Sequence, residues 1–145
     1  MAYRGSIQAT MQSVKDKIET VTAQAVEEKF EEIAEYTIYV AVPDQSIDTG
    51  AYVTSFSIGP AGFGGGRSRS SDNKPRRQNP KAKKDEGFSQ LMSDIQGIDF
   101  KTMVESGNTK FTLRNRAPHS RDVENGENWQ KDGYHVFEKI RSEFR

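Results

Sequence analysis

The first third of the chain carries apolar residues at the spacing of a helix. From Ser6, a residue suited to cap a helix, they recur at alternating intervals of four and three, and the stripe steps by one position near residue 25. Its two parts are Ile7, Met11, Val14 and Ile18, and then Val26, Phe30 and Ile33. Pro43 cannot continue a helix and favours an extended Val42. The pattern therefore predicts one helix of about 34 residues that stops before Pro43.

Such a helix would be about 50 Å long, more than a domain of 145 residues can cover by itself. One interpretation makes it a core helix lying wholly on its own sheet. The interpretation we favour divides it: the second part of the stripe covers the sheet, and the first part meets a neighbouring subunit. The predicted subunit interface is Ile7, Met11, Val14 and Ile18.

Asp48-Thr49-Gly50 predicts a compact turn after the helix. The Asp48 carboxylate is expected to accept hydrogen bonds from amides two or three residues on, and Gly50 to adopt a positive φ. The apolar and polar residues that follow alternate from Tyr52 to Ile58, which predicts a strand. A single helical turn followed by a strand fits these residues equally well.

The last third predicts short elements. Phe88–Gln96 has helical spacing and ends at Gly97, while Ile98–Glu105 and Thr109–Asn115 flank Ser-Gly-Asn and indicate a β-hairpin. A short helix after Ala117-Pro118 is expected to end with a left-handed Gly126.

An amphipathic helix is expected to close the chain from Tyr134. The predicted fold is thus α+β in a single domain over residues 1–145. It consists of a long N-terminal helix on a small antiparallel sheet, a short C-terminal helix and a long basic loop.

Charge is concentrated in that loop. Residues 59–84 hold eight basic and one acidic side chain, although the whole chain has no net charge. The segment 59–86 is rich in Gly, Ser and Pro, and we expect a flexible excursion. Three interpretations remain open for it: a solvated loop, a contact to DNA phosphates, or a contact to an acidic protein surface. The cations concerned are Arg67, Arg69, Lys74, Arg76, Arg77, Lys81, Lys83 and Lys84.

Residue chemistry gives little support to catalysis. His119, His135, Asp122 and Glu124 are the candidates for proton transfer or metal binding, yet they form no HExxH or paired-carboxylate spacing. The Gly-rich run 62–66 lacks the Gly-Lys-Ser/Thr ending of a phosphate loop. We expect no enzyme activity, no metal and no cofactor.

The compartment follows from residues that the sequence lacks. It contains no cysteine, no signal-peptide pattern and no stretch of about 20 apolar residues. We therefore expect a soluble protein made in the cytoplasm, with no membrane partner.

Two motifs, placed between a long helix and a closing helix, carry a family resemblance. They are Asp48-Thr49-Gly50 with Tyr52 and Ser55, and Asn115-Arg116-Ala117-Pro118-His119-Ser120 followed by Val123-Glu124-Asn125-Gly126. In their order and spacing they resemble the tail-completion or head-tail joining proteins of tailed bacteriophages, the lambda minor tail protein Z-like group. Tyr52 replaces the usual Leu and His119 the usual Tyr, and residues 59–96 lie outside the likeness.

The resemblance implies a structural virion protein at the neck. Six or twelve copies would form a ring between the capsid portal or adaptor and the tail tube or terminator, around a channel for genomic DNA. It also implies a scaffold role for Asp48, Thr49, Gly50, Tyr52, Ser55, Ala117, Pro118, Glu124 and Gly126. The rival hypothesis is a nucleic-acid-binding protein that uses residues 67–84 as its arm.

Overall fold

The computed structural model describes residues 22–70, 74–118, 120–126 and 133–144, apart from the side chain of Asp122. These residues form an α+β fold of helices and one two-stranded antiparallel sheet. The predicted interface residues Ile7, Met11, Val14 and Ile18, and the candidate His119, lie outside the described residues.

Helix α1 covers residues 22–36 and continues as a π-helical turn over Thr37–Ala41. The Thr37 hydroxyl donates to the carbonyl oxygen of Ile33 at 2.7 Å, a bond that competes with the regular helical pattern. Val42 is extended, with φ −84° and ψ 113°, as expected of a residue before proline. The predicted end of the helix before Pro43 is confirmed.

The sheet pairs β1 (Phe56–Pro60) with β2 (Phe111–Asn115). Ile58 lies opposite Leu113 in the antiparallel register. Before β1, residues 51–54 form a helical turn, closed by the Thr54 amide donating to the Gly50 carbonyl at 3.1 Å. Of the two alternatives for this stretch, a helical turn followed by a strand is the one observed.

Helix α2 (Pro80–Gln96) begins well before the helix predicted from Phe88. Asn79 caps its first turn, because its side-chain oxygen accepts from the Ala82 amide at 3.0 Å, and proline suits the first helical position. Gly97 ends the helix with a right-handed φ of −84°. The irregular part of the basic segment is therefore shorter than predicted, because residues 80–86 are helical.

The predicted hairpin strand Ile98–Glu105 is wrong, since helix α3 (Phe100–Glu105) forms there. The Asp99 carboxylate caps α3 by accepting from the amide and the hydroxyl of Thr102, at 3.1 and 2.8 Å. The helix buries Phe100 and Met103, which are three positions apart and share one face. β2 pairs with β1 instead of with this segment.

Two short helices complete the chain, α4 (Ser120–Asn125) and α5 (Val136–Glu143). Gly126 follows α4 with φ 73°, so the predicted left-handed cap is confirmed. Helix α5 buries Val136 and Ile140 against the core.

The core joins α1, the turn before β1, β1 and the later helices, and the partly buried residues of β2 pack against it. Phe30 and Ile33 are each 1% exposed. The Phe30 ring meets the edges of Phe100 and Phe111, with centroids 5.1 and 6.2 Å apart. The second part of the helical stripe therefore covers the chain's own sheet, as predicted.

Candidate functional site

The Asp48–Ser55 turn is a rigid unit held by its own hydroxyl groups. Gly50 has φ 83°, a conformation that glycine adopts without strain. The Thr54 hydroxyl donates to the Gly50 carbonyl at 2.6 Å, and the Ser55 hydroxyl to the Ala51 carbonyl at 2.6 Å. The Thr49 hydroxyl accepts from the Ala51 amide at 3.2 Å. These bonds fix the reversal of the chain that the sequence predicts.

Asp48 does not bond to its own turn in the way the sequence predicted. Its carboxylate accepts from the amide of Arg77 at 2.8 Å and lies 3.5 Å from the Arg76 guanidinium. Its backbone carbonyl accepts from the Gln78 amide at 2.8 Å. Asp48 therefore ties the basic segment to the turn, with its carboxylate bound to the Arg77 amide and its carbonyl to the Gln78 amide.

The two sequence motifs, one beginning at Asp48 and the other at Asn115, meet at Asn115, the last residue of β2. Its side-chain amide donates to the Tyr52 carbonyl at 2.8 Å, and its side-chain oxygen accepts from the Ala117 amide at 3.0 Å. Ala117 is 3% exposed, and its carbonyl accepts from the Ser120 amide at 3.0 Å, while Pro118 is exposed. One side chain thus joins the first motif to the second across 63 positions of sequence.

Glu124 extends this junction to the last helix. Its carboxylate accepts from the Phe137 amide at 3.0 Å, and its carbonyl from the His135 amide at 3.1 Å, so it satisfies donors at the start of α5. Burial, with the Glu124 charge as a second cause, raises the pKa of Tyr52. The Tyr52 and Phe56 rings pack edge to face, 5.2 Å apart. Glu124 therefore acts as a helix cap beside a buried tyrosine.

Arg67 is an internal anchor and is the first correction to the predicted set of contact cations. Its guanidinium binds both carboxylate oxygens of Asp94, at 2.6 and 2.9 Å. It also donates to the carbonyls of Phe56 and Gln90, at 2.9 and 3.1 Å. Such a fork-to-fork pair engages the guanidinium inside the fold, so little of it is left for a phosphate.

Lys84 and Lys83 are the second correction. Lys84 is 6% exposed, and its ammonium lies 2.6 Å from the Asp44 carboxylate. The aliphatic part of Lys83 packs on Gly50, and its ammonium lies 3.3 Å from Glu86. Both lysines lie on α2: Lys84 holds this helix to Asp44, and the stem of Lys83 packs on the turn at Gly50.

The remaining five predicted cations have exposed side chains on a backbone that is attached to the body. They are Arg69, Lys74, Arg76, Arg77 and Lys81. The Arg69 amide donates to the Ser55 hydroxyl at 2.8 Å, and the Ser68 hydroxyl to the Arg116 carbonyl at 2.8 Å. With the Asp48 bonds at its far end, the segment is fastened on both sides of residues 71–73.

Sequence reasoning missed Arg114 and Arg116 as members of this basic surface. Arg116 is exposed, and the Arg114 guanidinium lies 4.6 Å from the centre of the Phe63 ring and donates to the Gly65 carbonyl at 3.2 Å. Within the described part of the chain, neither forms an ion pair. The signal that could have identified them is their spacing of two at the end of β2, since residues two apart in an extended chain lie on one face.

Of the groups considered for catalysis, His119 and the side chain of Asp122 lie outside the described residues, while His135 and Glu124 line one pocket beside α5. His135 lies 3.4 Å from the Glu138 carboxylate in α5, while Glu124 caps that helix. Among the residues that the structure describes, no group of three or more histidine or acidic side chains could hold a metal ion. None of the described helices is both long and apolar enough to cross a bilayer.

No protein-family model, curated protein or solved structure was found to match this chain.

Proposed function

We propose that this protein is a structural subunit of a tailed-bacteriophage neck, assembling into a ring between the capsid portal and the tail. The observation that carries the proposal is the junction at Asn115. The two segments that resemble the head-tail joining family are distant in sequence, and they meet through the hydrogen bond that the Asn115 side-chain amide donates to the Tyr52 carbonyl.

The chemistry of the junction supports a scaffold role. Its polar groups bond to backbone amides and carbonyls: Asn115 joins the turn to β2, and Glu124 caps α5. Groups engaged in this way position secondary structure and have little capacity left for proton transfer. In the proposed role, the copies form a collar of six or twelve subunits that binds the portal or adaptor and the tail tube or terminator.

A second candidate function is non-specific binding of nucleic acid. Five exposed cations lie on the anchored segment, and Arg116 lies beside it. Mobile cations of this kind neutralise phosphates and release counterions, so their affinity falls as salt rises. Phe63 is the single aromatic residue of the segment, and it packs against Arg114, which leaves little for base stacking.

Replacing the exposed cations is a sharper test than deleting the basic segment, because three of the eight basic side chains hold the fold. The variant carries glutamine in place of the five exposed cations of the segment and keeps Arg67, Lys83 and Lys84. Its mass is measured by light scattering, alone and with neck-deficient capsids or tails, and its binding to a fluorescent DNA duplex by anisotropy across a salt series.

A joining protein should form rings, alone or on its virion partners, with or without the five charges. A nucleic-acid-binding protein should show salt-dependent DNA affinity that the variant loses. A wild-type chain that stays monomeric with every virion partner, and binds DNA through the five cations, would overturn the neck proposal.

A further inference from the structure

A groove with mainly apolar walls opens beside the first described turns of α1, and the polar side chains of Lys29, Thr109 and Glu143 also line it. Thr22, Ala25 and Val26 form its helical side, and Phe111 of β2 and Phe144 after α5 form the other. Phe30 and Ile33, both buried, close its floor. Its volume is about 450 Å³. Ala25 is exposed on the wall of this groove, where a helix of a monomeric protein would ordinarily be polar.

The sequence contains a segment with the matching pattern. Ile7, Met11, Val14 and Ile18 recur at four, three and four residues, which is the spacing of side chains that anchor an amphipathic helix in an apolar groove. Residues 1–21 immediately precede the helical wall, and they lie outside the described residues. This segment is therefore the part of the chain whose chemistry best fits the groove.

The sequence of the segment favours a neighbouring copy as its source. No glycine or proline occurs between Ser6 and Thr22, so the sequence predicts that the helix runs on past the groove at about 1.5 Å per residue. A stripe on that continuation would move away from its own groove. A second copy can present the same stripe without reversing the chain.

We propose that the groove receives the stripe Ile7, Met11, Val14 and Ile18 of an adjacent copy of this chain. Stripe and groove are different surfaces, so each subunit would donate one and receive the other. Such a head-to-tail contact generates a closed ring when its rotation closes. The inference rests on the proposed function and names the contact by which the neck ring forms.

Disulfide trapping tests the contact, because the chain contains no cysteine of its own. A chain with Ala25→Cys is mixed with chains that carry Ile7→Cys, Met11→Cys, Val14→Cys or Ile18→Cys, under mild oxidation and in the assembled state. Mixed disulfide dimers are counted on a non-reducing gel. The matched control is Gln24→Cys, an exposed neighbour on α1 that does not line the groove.

The expected result is a mixed dimer from Ala25→Cys and at least one stripe position, with a yield several-fold above that of Gln24→Cys. Equal yields from the two wall positions, or no dimer from any pair, would overturn the proposal. A chain carrying both Ala25→Cys and Met11→Cys is then oxidised in excess cysteine-free protein. An intrachain bond that survives this dilution would show that the segment folds back, and would also overturn it.

Light scattering separates this inference from the neck proposal. The variant Ala25→Glu places a charge on an exposed groove wall and should fold, yet it should lose the ring mass. If it keeps that mass and no trap forms, the ring proposal stands and the groove proposal fails. If the wild-type chain forms no ring with any virion partner, both fail.

Discussion

Gly87 offers the sharpest test of how α2 packs, because here helix propensity and packing predict opposite signs. A Cβ built at Gly87 would overlap the Val53 carbonyl oxygen and come within 3.3 Å of the Ile38 side chain. Gly87 lies in the interior of α2 and is buried. The perturbation is Gly87→Ala, the smallest change that fills this contact.

The magnitude follows from the two opposing effects. Alanine in place of glycine stabilises a helix interior by about 1 kcal/mol. Overpacking a filled core costs about 1–3 kcal/mol when the surroundings cannot move. Val53 is fully buried in a turn that is fixed by the Thr54 hydroxyl, and Lys84 holds α2 to Asp44, so neither side can easily retreat. We therefore expect the upper part of that cost, about 2–3 kcal/mol. After the gain from helix propensity the net loss is about 1–2 kcal/mol, or a fall in Tm of about 2–8 °C.

Thermal unfolding followed by circular dichroism, with urea unfolding beside it, measures the change. The matched control is Ser89→Ala, two positions away in the same helix and exposed, which should gain a few tenths of a kcal/mol from propensity alone. A Gly87→Ala chain as stable as the wild type, or more stable, would refute the close approach of α2 to the turn.

Three further predictions concern the anchors and a perturbed tyrosine. Asp94→Asn removes the charge that faces the partly exposed Arg67, and it should lower the free energy of unfolding in urea by about 2 kcal/mol. Arg67→Lys keeps the positive charge, but a lysine should not form the forked pair with Asp94. Asn115→Ala should cost about 1–3 kcal/mol, and an equal loss from Asn115→Asp would show that the donated bond to the turn is essential. Burial, and then the hydrogen bond to Asp85, raise the pKa of Tyr39 to about 12. Because the pKa of Tyr39 is higher in the folded than in the unfolded chain, the stability that this group contributes is full below pH 10 and is lost between pH 10 and 12. Absorbance titration should show that Tyr39 ionises at a higher pH than a free tyrosine. Asp85→Asn should lower the pH at which it ionises.

Sequence reasoning succeeded where local chemistry decides the conformation. Pro43 ends the first helix and extends Val42, and Gly50 and Gly126 adopt positive φ where the chain must reverse. The stripe that ends in Phe30 and Ile33 is buried against the sheet as predicted. In each case a few adjacent residues limit the backbone, whatever the rest of the chain does.

The prediction from sequence was wrong where the same residues fit both the two-residue spacing of a strand and the spacing of a helix. Phe100, Thr102 and Val104 alternate like a strand, while Phe100 and Met103 share a helical face, and the pattern alone cannot separate these periods in six residues. Asp99, three positions before Thr102, was the capping signal that favoured the helix. The start of α2 differs from the prediction for a related reason. The basic composition of residues 81–84 favours a loop, although Asn79 and Pro80 just before them are a signal for the start of a helix.

The basic surface could be predicted only in part, because composition does not identify which charges are paired. Arg67 finds Asp94 at a distance of 27 positions, and Lys84 finds Asp44 across 40, so no local pattern marks either as an anchor. The exposed cations and the anchors look alike in sequence. Tertiary packing determines which cations are paired and which are exposed.

Because the anchors are engaged inside the fold, only the exposed cations are free to contact a polyanion such as DNA. A segment fastened at Arg67 and at Asp48 presents its cations with part of the ordering entropy already spent in folding, which favours weak, immediate phosphate contacts over the wrapping of a free arm. The pairing of the anchors also limits the number of phosphate contacts. Five phosphate contacts give a slope of log affinity against log salt of about −4.5, whereas eight would give about −7. A measured slope near the larger value would need three cations beyond these five, and Arg114 and Arg116 can supply only two, so an anchor such as Arg67 would have to leave its pair with Asp94.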